Sequence, residues 1–257
     1  MAVRADTLVV VAVDRVVYTE RWLRREGFAP GSSGEHRLTR AQALLRREVR
    51  EVGKVNLDWS GCRNARDLGG LPTADGSRIR AGALLRSDGH HLLTPAAVES
   101  VRCGPVSRIV DLRWSWECEW RPSPFAGDPV YRHVPMLNDV LGYEPPPDTY
   151  VPMLDHNRSR IGAAFRAVAE APPGGVVVHC HGGRDRTGVL VALLLTVAGV
   201  AADVVARDYA CTDGCSPEAM LHTLAHLKDR YGGATSYLAG ADVKPGTTVA
   251  ARNRLRE

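Results

Sequence analysis

The sequence predicts an α/β fold: a central, mostly parallel sheet flanked by helices, with an N-terminal appendage. Three observations carry this. Short β-branched or apolar runs alternate with stretches of helical spacing from Asp58 onward. The run Val176-Val177-Val178 leads through a glycine-containing loop into the long apolar stretch Thr187 to Val200, a strand–loop–helix unit. The hydrophobic fraction of 44% and charged fraction of 24% are those of an ordinary globular protein, and 257 residues suffice for one sizeable domain plus an appendage.

In chain order, residues 1–55 read as a basic N-terminal extension of unassigned role, and residues 56–257 as the main domain. The extension holds a strand at Thr7 to Val13, a charged helix around Tyr18 to Glu26, the breaker Pro30-Gly31-Ser32-Ser33-Gly34 and a basic helix near Thr39 to Val52. It carries eleven Arg or Lys against seven Asp or Glu, whereas the rest of the chain balances at 22 of each. The whole +4 charge therefore sits in this piece. Acids are interspersed in Arg46-Arg47-Glu48-Val49-Arg50, so a solvated helix face is expected there rather than a nucleic-acid or membrane patch.

In the main domain, Ala83 to Arg86 is a short strand. Thr94 caps a helix opened by Pro95, where the missing proline N–H costs nothing. Ser107 to Leu112 and Tyr131 to Val134 are strands. His156 to Ala171 is one helix with Ile161, Phe165 and Val168 on a single face, stopped by Pro172-Pro173-Gly174-Gly175. Further helices run from Ala202 to Cys211, from Pro217 (capped by Ser216) to Tyr231, and at the C-terminus through Arg252 to Glu257. The apolar runs Leu8 to Val13 and Val189 to Val200 are too short to span a bilayer. An acid stands before the first of them and no small-residue cleavage site is evident, so the expected compartment is the cytoplasm. Six cysteines without paired C-x-x-C modules imply free thiols and no metal; His90-His91 are adjacent and point apart on a regular backbone.

The chemistry concentrates in His179-Cys180-His181-Gly182-Gly183-Arg184-Asp185-Arg186-Thr187-Gly188. Consecutive backbone N–H groups at a helix N-terminus form a nest for an anion. Gly182 and Gly183 free the backbone to turn, and Arg186, separated from Cys180 by five residues, is spaced to return and grip two phosphate oxygens. The same positive field favours a thiolate at Cys180, a nucleophile able to attack phosphorus and form a phosphocysteine. A rhodanese-like sulfurtransferase also uses a cysteine loop, and a phospho-binding module with weak catalysis would keep the same pocket. The Arg spacing and the Thr-Gly helix start favour phosphate ester hydrolysis.

This loop resembles the HCxxGKDRTG loop of the protein-tyrosine-phosphatase superfamily, in its atypical bacterial branch of tyrosine- and phosphoinositide-active enzymes. Asn64-Ala65-Arg66-Asp67-Leu68-Gly69-Gly70, Leu85-Arg86-Ser87-Asp88, Val110-Asp111-Leu112-Arg113 and Asp208-Tyr209 are similar to further motifs of that branch, in order over residues 58–257. The resemblance implies a cysteine-dependent phosphatase fold and a phosphorylated protein or phosphoinositide as substrate. It implies no cofactor and no nucleic acid, and leaves the oligomeric state open. The branch's lysine is Arg184 here, which keeps the charge and changes its geometry. His181 either supports the thiolate or faces solvent, and His179 positions the loop.

A leaving group needs a proton donor. The resemblance places it in the loop after His133-Val134-Pro135, hence Asp139; Asp185 competes for the role, as acid or as water-orienting base. Asp111 is expected to hold Arg113 or the loop. Thr187 either donates to Cys180 or caps the helix. Asn64, Arg66 and Asp67 either brace the site or form a turn with a buried ion pair.

Overall fold

The computed structural model describes residues 11–13, 16–18, 55–57, 59–138 and 149–257. The chain divides into two units, Met1–Arg50 and Glu51–Glu257. In the first, strands β1 (Val11–Val13) and β2 (Val16–Tyr18) pair antiparallel. Tyr18 thus ends a strand instead of opening a helix; the remainder of the expected helix at Tyr18 to Glu26, and the one at Thr39 to Val52, lie outside the described residues.

The second unit is built on a six-stranded sheet. Its strands are β3 (Val55–Asn56), β4 (Arg66–Asp67), β5 (Leu84–Ser87), β6 (Val106–Asp111), β7 (Tyr131–His133) and β8 (Gly175–His179), in the spatial order β3-β4-β5-β8-β6-β7. The four strands from β5 to β7 run parallel, and β4 and β3 extend the edge antiparallel. Alternation along the buried strands sorts side chains to two faces. Leu84, Val110, Val176 and Val178 join one apolar cluster, while Leu85, Ile109 and Val177 join another. On the second face lies helix α1 (Pro95–Cys103), through Val98 and Val101, together with Phe125 and Trp59. Its start follows the expected cap, with the Ala97 N–H donating to Thr94 Oγ1 at 3.3 Å.

After the short α2 (Ser115–Trp120) that follows β6, helices α4 (Arg158–Ala169) and α5 (Asp185–Val197) lie against the first face, and α3 (Val151–His156), α6 (Ala202–Ala210), α7 (Pro217–Tyr231), α8 (Ala234–Ala239) and α9 (Pro245–Leu255) join them in the same apolar cluster. Helix α5 is buried on nearly every side from Arg186 to Leu195, which explains its almost unbroken apolar sequence. The helix expected from His156 to Ala171 is α4, whose start is moved to Arg158 by a break at Asn157. That side chain accepts from the Asn138 N–H at 2.8 Å and donates to the Met153 carbonyl at 3.2 Å, drawing the backbone out of register with a continued helix. Helices α2, α3 and α8 were not anticipated; six residues each give too few turns for a periodic signal. Among the described residues, no helix is long and apolar enough to cross a membrane.

Candidate active site

Strand β8 is buried along its whole length and ends at His179, just before Cys180, itself 2% exposed, where the chain turns toward the N-terminus of α5. The parallel neighbours β5 and β6 end at the same level, pairing Ser87 and Asp111 with His179. Sheet parallelism thus gathers the ends of three strands around one loop, the place where α/β sheets bind ligands.

The two loop glycines do different work. Gly183 has φ +65°, and a Cβ there would lie 2.4 Å from the Ser87 carbonyl oxygen; Gly182 has neither a positive φ nor a close neighbour. Only Gly183 is required by backbone geometry. Its carbonyl accepts from Asn64 Nδ2 at 2.9 Å and Arg86 Nη2 at 2.8 Å, so the loop is tied to β5 and to the turn before β4.

Behind these contacts lies a buried charge cluster. Arg66 Nε donates to Asp208 Oδ1 at 2.9 Å, and Arg86 Nη1 to Asp208 Oδ2 at 2.7 Å. Arg66 also donates to the Asp208 carbonyl at 2.7 Å and to Asn64 Oδ1. Two cations and one anion, all buried, make Asp208 the centre of this cluster, and Arg66 acts on the loop through Asn64. Asp67 instead closes a turn, accepting from Gly69 N at 2.9 Å and Gly82 N at 2.7 Å. Burial opposes a charge on Asp208, but Arg66 and Arg86 outweigh it and hold its pKa below the usual carboxylate range. Because the folded pKa is depressed, this stabilisation is whole above about pH 4 and is lost as pH falls through the folded value. Asp208→Asn, which leaves two buried guanidinium groups short of an anion, should destabilise the fold by about 3–5 kcal/mol in urea denaturation at pH 7. A loss below about 1 kcal/mol would show that the two arginines find other partners.

Arg186 is gripped from behind. Its Nη1 and Nη2 donate to Glu117 Oε2 at 2.5 Å and Oε1 at 3.0 Å, and its guanidinium lies 4.5 Å from the centroid of the Trp114 ring. Glu117 is in turn fixed by the Trp114 N–H, which donates to Oε2 at 2.8 Å at the start of α2. Burial opposes ionisation of Glu117, yet the Arg186 bond and the Trp114 N–H outweigh it and its pKa is lowered. For Arg186, burial is likewise overcome by Glu117 and by the nearby Cys180, and its pKa is raised. Glu117 was missed in the sequence; the one available signal is an acid at the third position of a helix after the Asp111-Leu112-Arg113 strand end, a common pattern.

The remaining expected residues divide as follows. Asp111 is fully buried and serves Arg113, accepting its Nε at 2.9 Å and Nη2 at 2.6 Å, and accepts from the Tyr131 hydroxyl at 2.9 Å. His179 is buried, its Nδ1 lies 3.2 Å from the Cys180 carbonyl, and its ring stacks on His90 at 3.9 Å. His181 is half exposed, stacks on His91 and lies 3.8 Å from Glu117 Oε1. His90 and His91 thus face different partners, and no cluster of three metal-binding side chains occurs among the described residues. Thr187 does not cap α5, whose N-cap is Arg184; it lies inside the first turn, with a buried hydroxyl that has no hydrogen-bond partner among the described residues. Arg184 is half exposed and donates from Nε to both oxygens of Asp185, at 3.0 and 3.2 Å. Asp185 also accepts from the Tyr150 hydroxyl at 2.5 Å, a contact the sequence did not announce. Asp139 lies outside the described residues.

A buried cysteine just past a strand end, a helix N-terminus beyond it and a doubly held arginine six residues on form a cradle suited in shape and charge to an anion. The model of the tyrosine phosphatase family matches residues 57–216. This chain belongs to that family. It is 30% identical over 175 residues to a protein of Cupriavidus necator whose name gives it provisionally as a tyrosine-protein phosphatase, covering 61% of this chain and 63% of the relative. It is 28% identical over 155 residues to a tyrosine-protein phosphatase of Nostoc commune, covering 54% and 51%. A shorter stretch of 56 residues is 34% identical to the triple specificity protein phosphatase PtpB of Mycobacterium tuberculosis, 22% of this chain and 20% of that protein. The chain thus spans between half and two thirds of the first two relatives' length. The matched segment carries every loop residue discussed above, together with Glu117, Tyr150 and Asp208.

Proposed function

We propose that this chain hydrolyses phosphate monoesters, phosphotyrosine in proteins first among them, through a phosphocysteine intermediate. The observation that carries the reading is the Glu117-held Arg186 in the same loop as the buried Cys180. Cys180 attacks phosphorus and the ester oxygen leaves. The backbone nest of residues 181–186 and the Arg186 guanidinium take the charge on the phosphoryl oxygens. Asp139 protonates the leaving oxygen, Thr187 offers its unpartnered hydroxyl to the Cys180 sulfur, and Arg184 adds positive charge at the mouth. Water then hydrolyses the intermediate and phosphate leaves. The name of the PtpB relative speaks of three specificities, which supports extending the substrate range to phosphoserine, phosphothreonine or phosphoinositides.

The test is p-nitrophenyl phosphate turnover combined with acid quenching. A phosphoryl group bound through sulfur at Cys180, located by mass spectrometry, is the expected result. Transfer of sulfur from thiosulfate to cyanide without phosphate release would overturn the reading in favour of a sulfurtransferase. Tight phosphopeptide binding without turnover would overturn it in favour of a binding module. A phosphopeptide and inositol-phospholipid panel then ranks substrates by kcat/KM.

A further inference from the structure

Asp185 occupies the first turn of α5, between the two arginines of the phosphate loop. Every hydrogen bond described for its carboxylate is one it accepts: the Tyr150 hydroxyl and Arg184 Nε on Oδ1, Arg184 Nε again on Oδ2. A carboxyl group that donates a proton to a leaving oxygen must be protonated at the start of the reaction. Donors converge on both oxygens of Asp185, the arrangement of a group placed to accept a proton rather than to give one.

The tyrosine that supplies the shortest of these bonds is built in firmly. Tyr150 stands at the start of α3, 3% exposed, with its backbone N–H donating to Thr223 Oγ1 of α7 at 3.0 Å. Its hydroxyl also shares a hydrogen bond with that of Tyr209, and the two rings meet edge to face at 5.9 Å. Tyr209 comes from α6 and packs against Gly188, where a Cβ would lie 2.8 Å from the Tyr209 ring. Gly188 is one turn along α5 from Asp185, so α3, α6 and α7 all fix this tyrosine pair over the start of α5. Burial, with the Asp185 bond second, pushes the Tyr150 hydroxyl well above its ordinary pKa, which keeps it a donor at neutral pH.

Resting on the phosphocysteine reading above, we propose that Tyr150 is a positioning residue that holds Asp185 as the base of the second half-reaction. In that step water attacks the phosphorus of phosphocysteine. A P–O bond forms, the P–S bond breaks, Cys180 leaves as a thiolate, and the proton of the water passes to Asp185 Oδ2. The product is inorganic phosphate. Oδ2 is the oxygen free for this: Tyr150 occupies Oδ1, while Oδ2 meets only Arg184 Nε at 3.2 Å. Tyr150→Phe preserves the ring packing and removes the aiming hydroxyl alone.

The test is rapid-quench kinetics with p-nitrophenyl phosphate on wild type, Tyr150→Phe and Asp185→Asn. A defect confined to hydrolysis of the intermediate lowers kcat and KM together and leaves kcat/KM near wild type, since kcat/KM covers only steps through formation of phosphocysteine. The expected loss in kcat is about 100-fold for Asp185→Asn, the low end for a general base. For Tyr150→Phe it is about 10-fold, the worth of one hydrogen bond to a charged group. Both variants should release nearly one equivalent of p-nitrophenol in a burst. If kcat and kcat/KM instead fall equally, without a burst and more steeply for phenyl phosphate than for p-nitrophenyl phosphate, Asp185 is the acid and the proposal is overturned. Wild-type values for Tyr150→Phe, with the burst found in Asp185→Asn alone, would overturn the role of Tyr150. A wild-type enzyme that turns over without any phosphocysteine overturns the parent reading, an outcome the quench separates from the other two.

Discussion

Cys180→Ser is expected to lower kcat on an aryl phosphate by at least about 10⁴-fold, within the range seen when a catalytic nucleophile is removed, while binding of phosphotyrosine peptide persists. The substitution changes one atom. A serine hydroxyl needs a base to become a nucleophile, whereas cysteine sulfur is intrinsically far more nucleophilic. The cradle does not depend on that sulfur. Gly183 is held by Asn64 and Arg86, and Arg186 by Glu117, none of which passes through the Cys180 side chain. Calorimetric titration with a phosphotyrosine peptide should therefore give affinity within a few-fold of wild type. Residual turnover above about 1% would mean that the nucleophile lies elsewhere.

Arg186→Ala should lower kcat/KM by about 10³-fold, since on the proposed mechanism it removes the guanidinium that takes charge on the phosphoryl oxygens. Arg186→Lys should recover little, because a single ammonium cannot bond the two Glu117 oxygens and a phosphoryl group in one plane. The partner test is Glu117→Gln. One arm of the fork loses a charged acceptor and the guanidinium is free to lean away from Trp114, so kcat/KM should drop about 10-fold, one hydrogen bond to a charged group. The phosphate inhibition constant should rise with it. An unchanged inhibition constant in Glu117→Gln would show that the phosphate nest alone holds Arg186 in place.

The contrast between these partners shows what kind of information a sequence holds. Cys180, Gly183 and Arg186 lie within seven consecutive residues, and a strand, a turn and a helix start are local structures with local signals. Their chemistry could be derived from spacing. Glu117 lies 69 residues from Arg186, Asn64 lies 119 from Gly183, and Asp208 lies 122 from Arg86. Such pairs leave no periodic trace, and many acids in the chain were equally available as partners for each arginine. Tyr150 lies 35 residues from Asp185 and carries no local signal of that pairing.

By itself, then, the amino-acid sequence determined the α/β alternation, the strand that leads into Cys180 and the loop residues proposed to cradle a phosphoryl group. These follow from backbone propensities and from hydrophobic periods of two and 3.6 residues, all of which act over short stretches. Only the tertiary structure decided which charges meet: Asp208 with Arg66 and Arg86, Glu117 with Arg186, Tyr150 with Asp185. Buried ionic groups are tolerable only when a partner is delivered to within hydrogen-bond reach, and delivery across the sheet is a property of the assembled layers.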